Sequence, residues 1–140
     1  MNRIKSTQVD APALRILVVE DNDINQLLAK KILSMLGHQI DLAENGLAAV
    51  DAARKVSYHL ILMDIRMPEM DGLEATQVIR RGFGGDHQPM IFAMTALDSE
   101  EDEDQCLTVG MDGFLTKPLS VSHLREKLAE CKAHFNLPAK

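Results

Sequence analysis

The chain has 140 residues, 46% apolar and 26% charged, with 15 Lys plus Arg against 21 Asp plus Glu for a net charge of −6. One domain fits that length, and the apolar fraction can fill its core. The acidic balance argues against nucleic acid and against an anionic membrane, which both select basic surfaces.

Residues 1–13 show no period and contain Pro12, which reads as a flexible leader or linker. They lack the apolar core of a signal peptide, and no stretch approaches the roughly 20 apolar residues of a membrane span. The expected location is the cytoplasm, or the cytoplasmic part of a membrane-bound protein. The domain is expected over residues 14–136, with 137–140 as a tail.

Arg15 to Val19 is a short β-branched run suited to a strand buried on both faces. Asp23 is placed to cap a helix, with Gln26 as its capping-box partner. Ile24, Leu27, Leu28, Ile32, Met35 and Leu36 recur at three and four spacing, and Gly37 closes that helix. Gln39 to Ala43 is a second strand. Asn45-Gly46 turns into a helix that runs to about Lys55. His59 to Met63 is a third strand, with Asp64 at its end.

Beyond Pro68 and Gly72, a helical pattern carries Leu73, Thr76, Ile79 and Arg80, and Gly82-Phe-Gly-Gly85 is a connector. That connector lacks the Gly-Lys-Ser/Thr ending of a phosphate loop. Met90 to Ala93 is a fourth strand, with Thr95 beyond its end. A helix is expected from Ser99 to Val109, stopped by Gly110; its acidic start complements the helix dipole. Gly113 to Thr116 is a fifth strand, followed by Lys117-Pro118. Val121, Leu124, Leu128 and Cys131 line a last helix.

Five strands in alternation with five helices imply an α/β fold: a doubly wound parallel sheet with helices on both faces. Ligands of such sheets bind beyond the carboxyl ends of the strands. Glu20-Asp21, Asp64, Thr95 and Lys117 all fall there. Clustered carboxylates repel one another unless a cation intervenes, and hard oxygen donors with an open shell suit Mg²⁺. A carboxylate nucleophile, a metal, a hydroxyl and an ammonium are the parts of phosphoryl transfer.

Several segments then carry a resemblance: Ile16-Leu-Val-Val-Glu-Asp-Asn22, Leu62-Met-Asp-Ile-Arg-Met-Pro-Glu-Met-Asp-Gly72, Met94-Thr-Ala96 and Gly113-Phe-Leu-Thr-Lys-Pro118. With them the chain resembles a response-regulator receiver domain of two-component signalling over about residues 14–134. The resemblance implies a flavodoxin-like five-stranded sheet in the order 2-1-3-4-5. It implies Asp64 as phosphoacceptor, fed by a phosphohistidine. Asp21, Asp64 and the Arg66 backbone carbonyl would bind Mg²⁺, with Glu20 acting through water. Lys117 would contact the phosphoryl group, and Thr95 and Phe114 would form a switch pair. Implied partners are a histidine kinase, a histidine phosphotransfer domain, or both, with neither nucleic acid nor direct membrane contact, and the domain is expected as a monomer.

Glu20-Asp-Asn22 with Asn25, and Gly110-Met-Asp112, resemble receivers fused to hybrid histidine kinases; the alternative is a stand-alone regulator. The module is expected to phosphorylate and dephosphorylate itself without being an enzyme in its own right. A haloacid-dehalogenase-type phosphatase is disfavoured, because Arg66 stands where its second Asp would be. A degenerate receiver is disfavoured by the retained acids, Thr95 and Lys117. His59, where many such domains have Asp, and Phe114, where Tyr is common, depart from the pattern.

Cys106 and Cys131 are expected as buried hydrophobes, and His38, His59, His87, His123 and His134 as surface or edge residues without metal-ligand spacing. The Met set (Met35, Met63, Met67, Met70, Met90, Met94, Met111) is expected mostly in the core. A docking patch for a helical donor is expected near Ile24, Leu27 and Leu28, joined by Met67, Pro68 and Pro118.

Overall fold

The computed structural model describes residues 13–82, 88–95 and 100–137, with the side chains of 100–102 outside that description. Most of the expected leader, residues 83–85 of the connector, His87, Ala96, Ser99 and residues 138–140 of the tail therefore lie outside the described residues.

Five strands alternate with five helices: β1 (Arg15–Val19), α1 (Asp23–Met35), β2 (Gln39–Ala43), α2 (Gly46–Lys55), β3 (Leu60–Asp64), α3 (Gly72–Gly82), β4 (Met90–Thr95), α4 (Glu100–Thr108), β5 (Gly113–Thr116) and α5 (Val121–His134). The sheet runs β2-β1-β3-β4-β5 with every pair parallel, the flavodoxin-like order. β3 is buried at all five positions, as a central parallel strand requires. It starts and ends one residue later than its apolar run, so Asp64 is its last residue. β4 runs on through Thr95, and Gly82 is the last residue of α3 rather than part of the connector.

Side chains alternate across the sheet and build two apolar layers. Leu17, Val19, Ile61, Met63, Ile91 and Ala93 face one layer with α2 and α3. Ile16, Val18, Leu60, Leu62, Phe92 and Met94 face the other with α1 and α5. Both cysteines are free and buried, one in each layer. Burial, and secondarily the charge of Asp112, push the Cys131 thiol up to about 12, which keeps it unreactive. Leu137, expected in the tail, packs on the second layer.

The α1 cap lies one residue earlier than expected. Asn22 is extended (φ −97°, ψ 123°) and its side chain accepts from the Asn25 N–H at 2.9 Å, so Asp23 is the first helical residue. Gln26 makes no capping box; its Nε2 donates to the Glu20 carbonyl at 2.6 Å. Gly37 takes φ +93° after the helix, a region costly for side chains with a Cβ. Arg80 is more than one position of a helical pattern. Its guanidinium donates to the carbonyls of Gly110 and Pro89, to Gln88 and to Asp112, tying α3 to the turn before β5.

His38 and His59 hold the start of β1. Their Nδ1 atoms accept from the backbone N–H groups of Leu14 at 3.0 Å and Arg15 at 2.9 Å. An imidazole that accepts through Nδ1 must be neutral there. Burial first, then the charge of Lys132, pushes His38 down to about 4 from 6.5. Its contribution is thus complete above pH 6.5 and is lost as pH falls toward 4, because only the unfolded chain takes up the proton in that window. Urea unfolding at pH 7 and pH 4.5 is expected to show the His38→Gln variant losing less stability than the parent across the window. The difference should be about 1–2 kcal/mol, after discounting for partial exposure.

Candidate functional site

β1 and β3 are neighbours, but the connection from β1 leads outward to β2 and that from β3 leads away to β4. The crevice at such a reversal is where open α/β sheets bind ligands. Glu20 follows β1, Asp64 ends β3 and Lys117 follows β5. Register puts all three on the parity of Val18, Leu62 and Leu115, the α1/α5 side of the sheet.

Glu20 and Asp64 are only 2% and 4% exposed. Lys117 Nζ sits 2.9 Å from Glu20 Oε1 and 3.2 Å from Asp64 Oδ2. Each acid keeps a second contact: Glu20 Oε2 accepts from the Asn22 N–H and Asp64 Oδ1 from the Arg66 N–H, both at 3.2 Å. Asp21 is exposed, yet carboxylate oxygens of Glu20, Asp21 and Asp64 all lie within 4.8 Å of one another.

One ammonium shared by two buried acids separates their proton affinities. Burial, then the charge of Glu20, raises Asp64 to about 6 against the opposing pull of Lys117. Glu20 moves the other way: burial disfavours its charge, but the hydrogen bond and charge of Lys117 and the Asn22 N–H outweigh that. Lys117 is raised, because its two carboxylates outweigh its own burial.

The loop after Asp64 is held tightly against the strand end. The Gly72 N–H donates to the Ile65 carbonyl at 3.0 Å. A Cβ on Gly72 would collide with the Asp64 carbonyl oxygen and come within 2.9 Å of the Met63 side chain. Thr95 is buried, and its carbonyl accepts from the Lys117 N–H at 2.8 Å. Thr95 and Phe114 lie on the other parity, that of Ile91 and Ala93. Ala93 pairs with Phe114 and Thr95 with Thr116, so Thr95 and Phe114 are diagonal neighbours on one face.

The sequence-derived site residues therefore meet at one edge, with the acids and Lys117 on one face and Thr95 and Phe114 on the other. Asn22 and Gln26 were not foreseen in their roles of holding Glu20. The Asx pattern before an apolar run was the available signal, read one residue too late. Two expectations for the docking patch divide. Ile24, Leu27 and Leu28 are 76%, 66% and 41% exposed, and Pro68 and Pro118 are exposed. Met67 is buried in the first layer, with Met70 packed against that layer, so Met67 does not join the exposed patch. Met35, expected as core, is exposed at the end of α1. A narrow cleft of about 20 Å³ between Leu28, Met94 and Pro118 opens beside Glu20 and Lys117.

The donor set fits Mg²⁺: hard carboxylate oxygens, two of them buried, clustered closely enough to need positive charge. It fits zinc poorly, since His and Cys ligands do not join it.

Residues 16–129 match the family model for the response regulator receiver domain. The probable histidine kinase 1 of Oryza sativa subsp. indica is 36% identical over 146 residues, covering 83% of this chain and 15% of that kinase. The chain spans 15% or less of the length of the first curated relatives it matches. Among solved structures, the receiver domain of Saccharomyces cerevisiae Ssk1, crystallised with the histidine phosphotransfer protein Ypd1, is 32% identical with a TM-score of 0.80, covering 88% of this chain and 92% of that one. The receiver domain of the sensor histidine kinase PA1611 from Pseudomonas aeruginosa PAO1, solved with magnesium in its active-site cleft, is 35% identical with a TM-score of 0.78, covering 87% and 99%.

The raised Asp64 pKa carries a sign for stability. Below about pH 4 the group is protonated in both states; as pH rises through 6 the folded domain must ionise a buried carboxyl, and stability is lost. Asp64→Asn is expected to raise the unfolding free energy at pH 7.5 without metal by about 1–3 kcal/mol. The gain should fade as pH drops to 4. Chemical unfolding of both proteins at the two pH values measures it.

Proposed function

Since the chain belongs to the response regulator receiver domain family, we propose that it acts in a phosphorelay by accepting a phosphoryl group from a phosphohistidine onto Asp64. The observation that carries this is the shared ammonium: Lys117 bridges Glu20 and Asp64 at the switch point of the sheet.

An Asp64 carboxylate oxygen attacks the phosphorus, the phosphorus–nitrogen bond breaks, and the imidazole leaves with its electron pair. Contacts from Lys117 to Oδ2 and from Arg66 N–H to Oδ1 fix the plane of the nucleophile before the donor arrives; such positioning removes orientational entropy from the barrier. Burial keeps Asp64 more basic than an ordinary carboxylate. Lys117, already within reach of Oδ2, is placed to pair with an oxygen of the incoming group, as phosphoryl transfer needs. Asp21, Asp64 and the Arg66 carbonyl would hold Mg²⁺, with Glu20 reaching it through water. When bound, the ion neutralises the carboxylate cluster and charge on the transferring group. Hydrolysis of the aspartyl phosphate returns the module to its starting state.

Thr95 is the hydroxyl that the new phosphoryl oxygens recruit, and Phe114 follows it on the same face. This biases an existing two-state equilibrium toward a rearranged α4–β5–α5 surface. The donor is a histidine phosphotransfer domain or a kinase, and its helices seat on the apolar residues Ile24, Leu27 and Leu28 beside the acid cluster. The similarity to the Ssk1 receiver, solved with Ypd1, supports that partner class. The similarity to histidine kinases supports a parent chain of the hybrid kind. A cytoplasmic position accords with this role, and no described helix is long and apolar enough to cross a membrane.

Asp64→Asn is expected to abolish labelling by acetyl phosphate with Mg²⁺, because an amide is no nucleophile. Labelling at the parent rate would remove Asp64 as the acceptor.

Leu27→Asp is expected to slow transfer from a phosphorylated histidine phosphotransfer domain by about tenfold or more, while labelling by acetyl phosphate and the unfolding midpoint stay unchanged. Loss of both reactions together would place the docking surface elsewhere.

A further inference from the structure

The three carboxylates of the acid cluster are held by unequal means. Glu20 and Asp64 are buried, and each touches Lys117 and a backbone N–H. Asp21 is exposed, and its carboxylate makes no ion pair or hydrogen bond with any described residue. One of its oxygens nonetheless lies within 4.8 Å of those of the other two acids. No side-chain contact puts it there, so its position comes from the backbone on either side of it.

Gln26 grips that backbone on both sides. Its side-chain Nε2 donates to the Glu20 carbonyl at 2.6 Å, and its own N–H donates to the Asn22 carbonyl at 2.9 Å. Asp21 stands between those two carbonyls. A peptide unit is planar, so holding the Glu20 carbonyl oxygen also sets the Asp21 nitrogen. The Glu20 N–H donates to the Ala43 carbonyl at 3.0 Å and ties the near side of the turn to β2. Gln26 lies near the start of α1, a helix anchored on the sheet through buried Ala29, Ile32 and Leu33. The helix itself does not call for this side chain. Asn22 already caps α1, and Gln and Met have nearly the same helix propensity. The amide of Gln26 reaches back past the cap, to the turn that carries the acids.

We propose that Gln26 is a positioning residue for the metal site: its amide holds the Glu20–Asp21 peptide so that the Asp21 carboxylate is presented to Mg²⁺ beside Asp64. The proposal rests on the reading of Glu20, Asp21 and Asp64 as a Mg²⁺ site. Groups that orient a metal's direct ligands commonly change its affinity by about 10–100-fold. Asp21 has no side-chain bond of its own, so the clamp on its backbone decides how far it is ordered before the ion arrives. Without the clamp the Glu20–Asp21 peptide gains freedom, and ordering it again on binding costs conformational entropy. The loss falls on affinity for the ion. It spares Asp64 as nucleophile, whose contacts to Lys117 and the Arg66 N–H do not pass through Gln26.

The test compares the full chain with its Gln26→Met, Gln26→Glu and Tyr58→Phe variants at pH 7.5. Tyr58→Phe removes a 2.7 Å hydrogen bond to Asp41, away from the acid cluster, and controls for lost stability alone. In metal-free buffer Gln26→Met should move the Glu20 carbonyl-carbon and Asp21 amide resonances, with those of Asp64 and Arg66 unmoved. Titration with Mg²⁺, read by amide spectra, should show half-saturation raised about tenfold in Gln26→Met and by less than about twofold in Tyr58→Phe. Gln26→Glu keeps the shape but sets an acceptor against the Glu20 carbonyl. It should also weaken Mg²⁺, although its added charge alone would attract the ion. Labelling of Gln26→Met by acetyl phosphate should need about tenfold more Mg²⁺ for half its maximal rate and reach the parent rate at saturation. A parent without saturable Mg²⁺ shifts at residues 20–22 and 64–66 would remove the metal site and this proposal with it. A parent that binds, beside a Gln26→Met variant that binds equally well, would overturn the proposal alone and leave the metal site standing. So would tighter binding by Gln26→Glu, or an equal loss of affinity in Tyr58→Phe. A Gln26→Met labelling rate that stays low at saturating Mg²⁺ would also overturn it, because the residue would then act on Asp64.

Discussion

Everything at the functional edge depends on one ammonium placed between two buried carboxylates. Glu20 and Asp64 are brought together because β1 and β3 pair in parallel and both stop at the same level. Without positive charge their proximity would oppose pairing of the central strands. Lys117 arrives from β5 and lies within 3.2 Å of both. Such pairs add little net stability, since burying the charges costs about as much as their attraction returns. What the arrangement does supply is asymmetry: Glu20 stays easily ionised while Asp64 is held more basic. Those properties, a more basic carboxylate flanked by a cation, are what the proposed role of Asp64 as phosphoryl acceptor rests on.

The sheet also divides the labour between its faces. The acids and Lys117 share the α1/α5 parity, and Thr95 and Phe114 share the α2/α3 parity. The Thr95 carbonyl, bonded to the Lys117 N–H, joins the two sides through the backbone. Under the proposed function, this bond offers a backbone route from the acid cluster to the opposite face. Gly72 keeps the loop after β3 close enough for this edge to stay compact.

The first helix shows how one stripe serves two purposes. Ala29, Ile32 and Leu33 are buried in its middle and C-terminal part, where α1 packs on the sheet. Ile24, Leu27 and Leu28 stay exposed near the acids. Contiguous exposed apolar side chains on a small acidic domain mark a contact surface more often than an accident. Their position near the acid cluster is what the proposed seat for a phosphoryl donor rests on.

The sequence by itself determined the elements and their order. Short β-branched runs separated by amphipathic stretches left no alternative to a parallel α/β sheet, and the acids, Thr95 and Lys117 fell at strand ends because β periodicity is readable over five residues. The order 2-1-3-4-5 and the residue roles were legible through the motifs rather than through periodicity. Only the tertiary structure decided which apolar residues are core. A 3.6-residue stripe reports a helix face but not what covers it, so Met35 was expected inside and is exposed; Met67, in the loop after β3, was expected among the core methionines and also in the docking patch, and is buried. It likewise decided that His38 and His59 cap backbone donors of β1. Those facts rest on groups 24 and 44 residues apart meeting in space, and charge pairing and desolvation act through distance and burial, which spacing along the chain does not encode.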